Sequence, residues 1–178
     1  MELYAKVTNI ELIKKISGFI NEIGIECRQE QVPEDTFLPG VEIKYGSIIY
    51  DPEQLTYPGD LLHEAGHLAV LLPIDRSLAN GSENLSGDLI SGAAEMSAIA
   101  WSWAAKVHLQ IDDEILFHSG GYKEGSGNLI KAFTECNEGG SILGVPILQW
   151  LGMTRELKSA QLPDEFTFPK MKQWLRQG

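Results

Sequence analysis

The stretch Leu61 to Leu72, LLHEAGHLAVLL, constrains this chain more than any other. Within it His63, Glu64 and His67 spell H-E-x-x-H. On an α-helix, residues four apart lie on one face, one turn above another. Two imidazoles so placed can reach one metal ion, and a glutamate beside the first can reach a water on that ion. The flanks favour a helix: Pro58 suits its first turn, Asp60 sits at its positive end, and Pro73 stops it. Leu61, Leu62, Ala65, Leu68, Ala69 and Leu72 supply apolar surface to bury it.

A catalytic zinc site takes three protein ligands and keeps a fourth position open for water. Glu95 is the expected third ligand. It is the one acid inside a run from about Asp88 to Leu109 that is apolar nearly all round, which predicts a buried helix. A carboxylate in such a place is costly unless it is paired or bound to metal. Small residues surround it, Ser91, Gly92 and Ala98, and Gly66 stands on the motif helix, so the two backbones can approach closely. The plainer alternatives for Glu95 are a salt bridge or a partly exposed position. Asp88 reads better as an N-terminal cap, and His108 lies more than three turns past Glu95, too far to share its ion.

Glu64 is then the general base, taking a proton from water made acidic by the metal. His118 adjoins the glycine-rich stretch Ser119 to Asn128, and it and Tyr122 are the best available donors to an oxyanion. The plain alternative for His118 is a surface position. Asp60, one turn ahead of His63, either hydrogen-bonds the outer nitrogen of a liganding histidine or serves only the helix dipole.

The rest of the chain predicts one α+β domain over 1–178, mostly helical, with a small antiparallel or mixed sheet ahead of the motif helix. Thr8 and Glu11 form a capping box for a helix over about 9–23. A short extended piece, GIECRQE, follows. VEIKYGSIIY reads as one bent strand or a small hairpin, with a turn or bulge at Gly46-Ser47. After Pro73 a loop is expected over 74–87. Further helices are expected over 112–118, from Asn128 to Glu138, and over 141–151 with Pro146 as a kink. A basic, aromatic segment, Lys170 to Arg176, comes near the end.

A formal charge of -11 argues against nucleic acid or an anionic membrane as partner. The beginning, MELYAKVTNIELIKK, lacks the pattern of a signal peptide, and no apolar run approaches the ~20 residues that span a bilayer. Cys27 and Cys136 are too few for a disulfide scaffold and read as free thiols of a cytoplasmic protein. Oligomeric state is not encoded in any of these features.

HEAGH on one helix, followed 28 residues later by a helical glutamate, resembles the gluzincin arrangement of zinc-dependent metallopeptidases. The order helix, short strands, HExxH helix, glutamate helix is similar to the minimal gluzincins and the ImmA/IrrE-type intracellular peptidases. The resemblance covers roughly residues 41 to 110. It implies a zincin-like domain in which His63, His67 and Glu95 hold Zn2+ and Glu64 is the base. The common gluzincin pattern has an Asp four residues after the glutamate, where this chain has Ile99. Two functions are therefore expected: a peptidase acting on a peptide or protein substrate, or a non-catalytic zincin-like binding or regulatory module.

Overall fold

The computed structural model describes residues 2–81, 87, 89, 91–121, 125–135, 142–155 and 165–178, with backbone only over 2–8. The described residues form seven helices and a three-stranded sheet, so the fold is α+β and mostly helical. Helix α1 spans Glu2–Glu22. It therefore starts ahead of the Thr8 capping box rather than after it. Ile13, Ile16, Phe19 and Ile20 recur on its buried face. Gly24 follows its end at φ 99°, a conformation that glycine adopts without a Cβ penalty.

Strands β1 (Cys27–Gln29), β2 (Val41–Lys44) and β3 (Ser47–Tyr50) make a mixed sheet in the order β1-β3-β2. β1 runs parallel to β3, and β2 runs antiparallel to it with Lys44 opposite Ser47. VEIKYGSIIY is thus a hairpin, and its two-residue turn is Tyr45-Gly46, one residue earlier than expected. Both turn residues have positive φ, 48° and 78°, as this tight hairpin geometry requires. Gly46 has a second reason to lack a side chain: a Cβ there would lie 2.4 Å from the carbonyl oxygen of Arg76.

The motif helix, α2, spans Asp60–Val70. Gly59 takes the cap position, and Pro58 lies in the turn leading in. A Cβ on Gly59 would collide with the Ile115 carbonyl oxygen, so the close approach of that backbone needs glycine. The backbone turns extended at Leu71, before Pro73. Pro73 then opens a new helix, α3 (Pro73–Leu78), where a loop was expected; its fixed φ suits a first helical turn as well as it ends the previous one.

Helix α4 spans Ser91–Leu109, and Ala94 and Ser97 to Ala105 are buried. The expected cap at Asp88 lies outside the described residues. Beyond it come α5 (Asp113–Leu116), α6 (Ser126–Glu135) and α7 (Val145–Trp150). α6 begins two residues before Asn128, so that residue is inside the helix and not its cap. Pro146 sits in the first turn of α7, where its missing N–H costs nothing, and does not kink a longer helix. The 170–176 segment packs inward: Trp174 meets Phe19 and Trp101, and Trp101 Nε1 donates to the Trp174 carbonyl at 2.8 Å. No helix among the described residues is long and apolar enough to cross a membrane. Cys27 is a free, buried thiol whose pKa burial pushes up to about 12; Cys136 lies outside the described residues.

Candidate metal centre

α2 and α4 cross in close contact, and the small residues expected to permit this do so. A Cβ on Gly66 would lie 2.7 Å from the Ala98 carbonyl oxygen. That approach brings Glu95 against the histidine pair. His63 Nε2 and His67 Nε2 are 3.1 Å apart, His67 Nε2 is 3.2 Å from Glu95 Oε2, and His63 Nε2 is 3.6 Å from Glu95 Oε1. The two imidazole planes stand nearly perpendicular, at 87°.

These separations test the fit to a metal. Ligands about 2.0–2.1 Å from a tetrahedral ion lie about 3.3–3.4 Å from one another. The three donor separations bracket that value. Among the described residues, His63, His67 and Glu95 are the group that could hold a metal ion, and the donor set of two imidazoles and one carboxylate suits a borderline divalent cation.

Burial sets the charge state of the cluster. Burial, and then the neighbouring His67, hold His63 well below the usual imidazole range, which keeps its ring neutral and available as a ligand. Glu95 is held below the ordinary carboxylate value, chiefly by a hydrogen bond from His67, and so is ionised. One premise about Glu95 needs correction. Its side chain is 46% exposed, because it stands in the second turn of α4 and not in its buried middle. The partly exposed alternative and the contact with both histidines hold together.

Glu64 is buried, 7% exposed, beside the histidines on α2. Burial raises its carboxyl from 4.5 to about 7, with further upward pushes from the charges of Asp60 and Glu95. No described residue hydrogen-bonds its carboxylate, and it lines a cavity of about 250 Å³ between the 33–38 loop and β2.

Asp60 does not support a metal ligand directly. Its Oδ1 lies 2.8 Å from His118 Nε2, in a buried pair 58 residues apart in sequence. His118 is thus 7% exposed rather than a surface group, and its ring stacks on Tyr57 with centroids 3.6 Å apart. The positive charge that His118 can carry depresses the His63 pKa, so the pair is close enough to influence the centre. Tyr122 lies outside the described residues. The outer nitrogen of His67, Nδ1, is buried without a hydrogen-bond partner among the described residues, and Ile99, where the gluzincin pattern has its Asp, is 6% exposed.

Three residues that the sequence did not single out help to set the site. Tyr57 covers His118. Arg76 and Arg176 cap the carboxyl end of α2, whose last carbonyls have no partner within the helix. Arg76 Nε donates to Leu68 O at 2.9 Å and Nη2 to Leu71 O at 3.0 Å, while the Arg176 backbone N–H donates to Ala69 O at 2.9 Å. The preference of helix carboxyl ends for cations was the available signal, but neither arginine lies within α2.

No family model, no curated protein and no solved structure matches this chain.

Proposed function

We propose that this chain is a zinc-dependent metallopeptidase. The observation that carries the reading is the clustering of His63, His67 and Glu95 at tetrahedral-ligand spacing beside a buried Glu64 that no described residue hydrogen-bonds. A structural metal site has no use for a desolvated carboxylate alongside its ligands; a hydrolytic site needs one. When bound, a Lewis-acidic zinc ion supplies polarisation of a substrate carbonyl and makes a water acidic near neutral pH.

The chain's own residues divide the remaining work. His63, held neutral by burial, and His67 offer their Nε2 atoms, and ionised Glu95 offsets the cation's charge. Glu64, with its carboxyl raised to about 7, can take a proton from water and return it to a leaving amine. The buried Asp60–His118 pair holds a second exchangeable proton close to His63. In this reading the substrate is a peptide or protein, nucleic acid and membrane are not partners, and the buried free thiol of Cys27 fits a reducing cytoplasm.

The second reading, a zincin-like binding or regulatory module, is favoured by one observation: among the described residues His67 Nδ1 has no carboxylate of the kind that usually orients such a ligand. The two readings separate in one experiment. Zinc-loaded wild type and Glu64→Gln are assayed on a fluorogenic peptide library. Hydrolysis by wild type, lost in Glu64→Gln with zinc retained, supports the peptidase. Zinc bound by both proteins with no peptide cut by either sinks it.

A further inference from the structure

The cavity beside Glu64 has a mixed character. Its walls include Leu38, Val41 and Ile43, its lining contains three carboxylates, Asp35, Glu42 and Glu64, and no cationic side chain lines it among the described residues. Phe37 also lines it while 82% exposed, an aromatic ring standing at the mouth and open to a ligand.

Two of the carboxylates have spare accepting capacity. Glu64 is more than nine-tenths buried, lines the cavity and accepts no hydrogen bond from a described residue. Glu42 Oε2 is buried and likewise accepts none. Lys44 Nζ stands 3.3 Å from that oxygen as an ion pair, but the same ammonium is shared with Glu30 at 3.8 Å. Buried acceptors left open are costly, and a ligand that donates to them recovers that cost.

We propose that this cavity receives a long basic side chain, lysine or arginine, of the substrate. The apolar walls suit its methylene stem, Asp35 and Glu42 suit its charged head, and Phe37 can cover the cation with its ring face. An acidic side chain would meet three carboxylates. A purely apolar one of equal length would leave the open acceptors without donors. The overall charge of -11 favours approach of a cationic peptide in the same sense.

This rests on the metallopeptidase reading for the location of the scissile bond, but the pocket can be tested without catalysis. The full chain, stripped of metal, is titrated with blocked alanine pentapeptides whose central residue is lysine, arginine, norleucine or glutamate. The lysine and arginine peptides are expected to bind at least about tenfold tighter than the norleucine peptide, a difference of about 1.4 kcal/mol. Glu42→Gln combined with Asp35→Asn should bring the ratio close to one, in protein whose melting temperature shows that it is folded. Equal or tighter binding of the norleucine peptide, or no binding of any peptide at millimolar concentration, would overturn the proposal. A basic preference in metal-free protein alongside zinc-loaded protein that cuts nothing would uphold the pocket and remove the peptidase.

Discussion

The two helices that build the centre hold their donors in different ways. α2 presents His63 and His67 from a buried face, with side chains 15% and 11% exposed, and the helix is tied at both ends. Asp60 in its first turn is locked to His118, and its last carbonyls are taken by Arg76 and the Arg176 backbone. α4 presents Glu95 from its second turn, 46% exposed, with the histidines as its hydrogen-bond and ion-pair partners. One helix therefore supplies a preformed pair, and the other supplies a carboxylate held chiefly by what it faces. Preformed ligands lose little freedom on binding, whereas a half-exposed glutamate must be ordered, so the two helices should contribute unequally to affinity.

The largest effect should come from the preformed pair. His67→Ala is expected to weaken zinc binding by about a thousandfold, roughly 4 kcal/mol, in competition titrations with a chromogenic chelator. Retention of wild-type affinity would remove α2 from the site. Next is the contact that joins the helices. Gly66→Val places side-chain atoms where even a Cβ lies 2.7 Å from the Ala98 backbone. It should cost about 1–3 kcal/mol in denaturant unfolding, because neither backbone can yield locally. An unchanged midpoint would show that the close crossing is not needed.

Glu95→Gln should weaken zinc binding by only about ten- to thirtyfold and leave the metal-free melting temperature close to wild type. An effect equal to that of His67→Ala would erase the distinction between the helices. The last effect concerns Glu64 in metal-free protein and is confined to one side of a pH range. Its carboxyl is raised from 4.5 unfolded to about 7 folded, so between those values the folded state keeps a proton that the unfolded state has lost. Wild-type stability therefore falls as pH rises from about 4.5 through 7. Glu64→Gln abolishes this penalty, so it should gain about 1–3 kcal/mol over wild type at pH 8 and almost nothing at pH 4.5. A gain independent of pH would show that Glu64 ionises freely in the fold.

How much of this was legible in the sequence follows the range of the interactions. The motif helix and its ligand pair were readable because i and i+4 spacing is a local property. The mixed sheet ahead of it was readable from β-branched runs, and the hairpin turn was misplaced by one residue because Tyr45, unlike Gly46, gives no sign of a positive φ. Glu95 was found from composition, although the argument from deep burial was wrong: the helix starts late enough to leave it half exposed. α3 was missed because Pro73 was read only as a stop. The Asp60–His118 pair and the reach of Arg176 to the end of α2 join residues 58 and 106 positions apart, which no periodicity can reveal.

The central claim is that His63, His67 and Glu95 hold one divalent ion. The most direct test is calorimetric titration of the metal-stripped full chain with Zn2+, beside the His63→Ala/His67→Ala double variant. One equivalent of tightly bound zinc is expected in wild type and none in the double variant. Absence of binding in wild type, or an equal stoichiometry in the double variant, would contradict it.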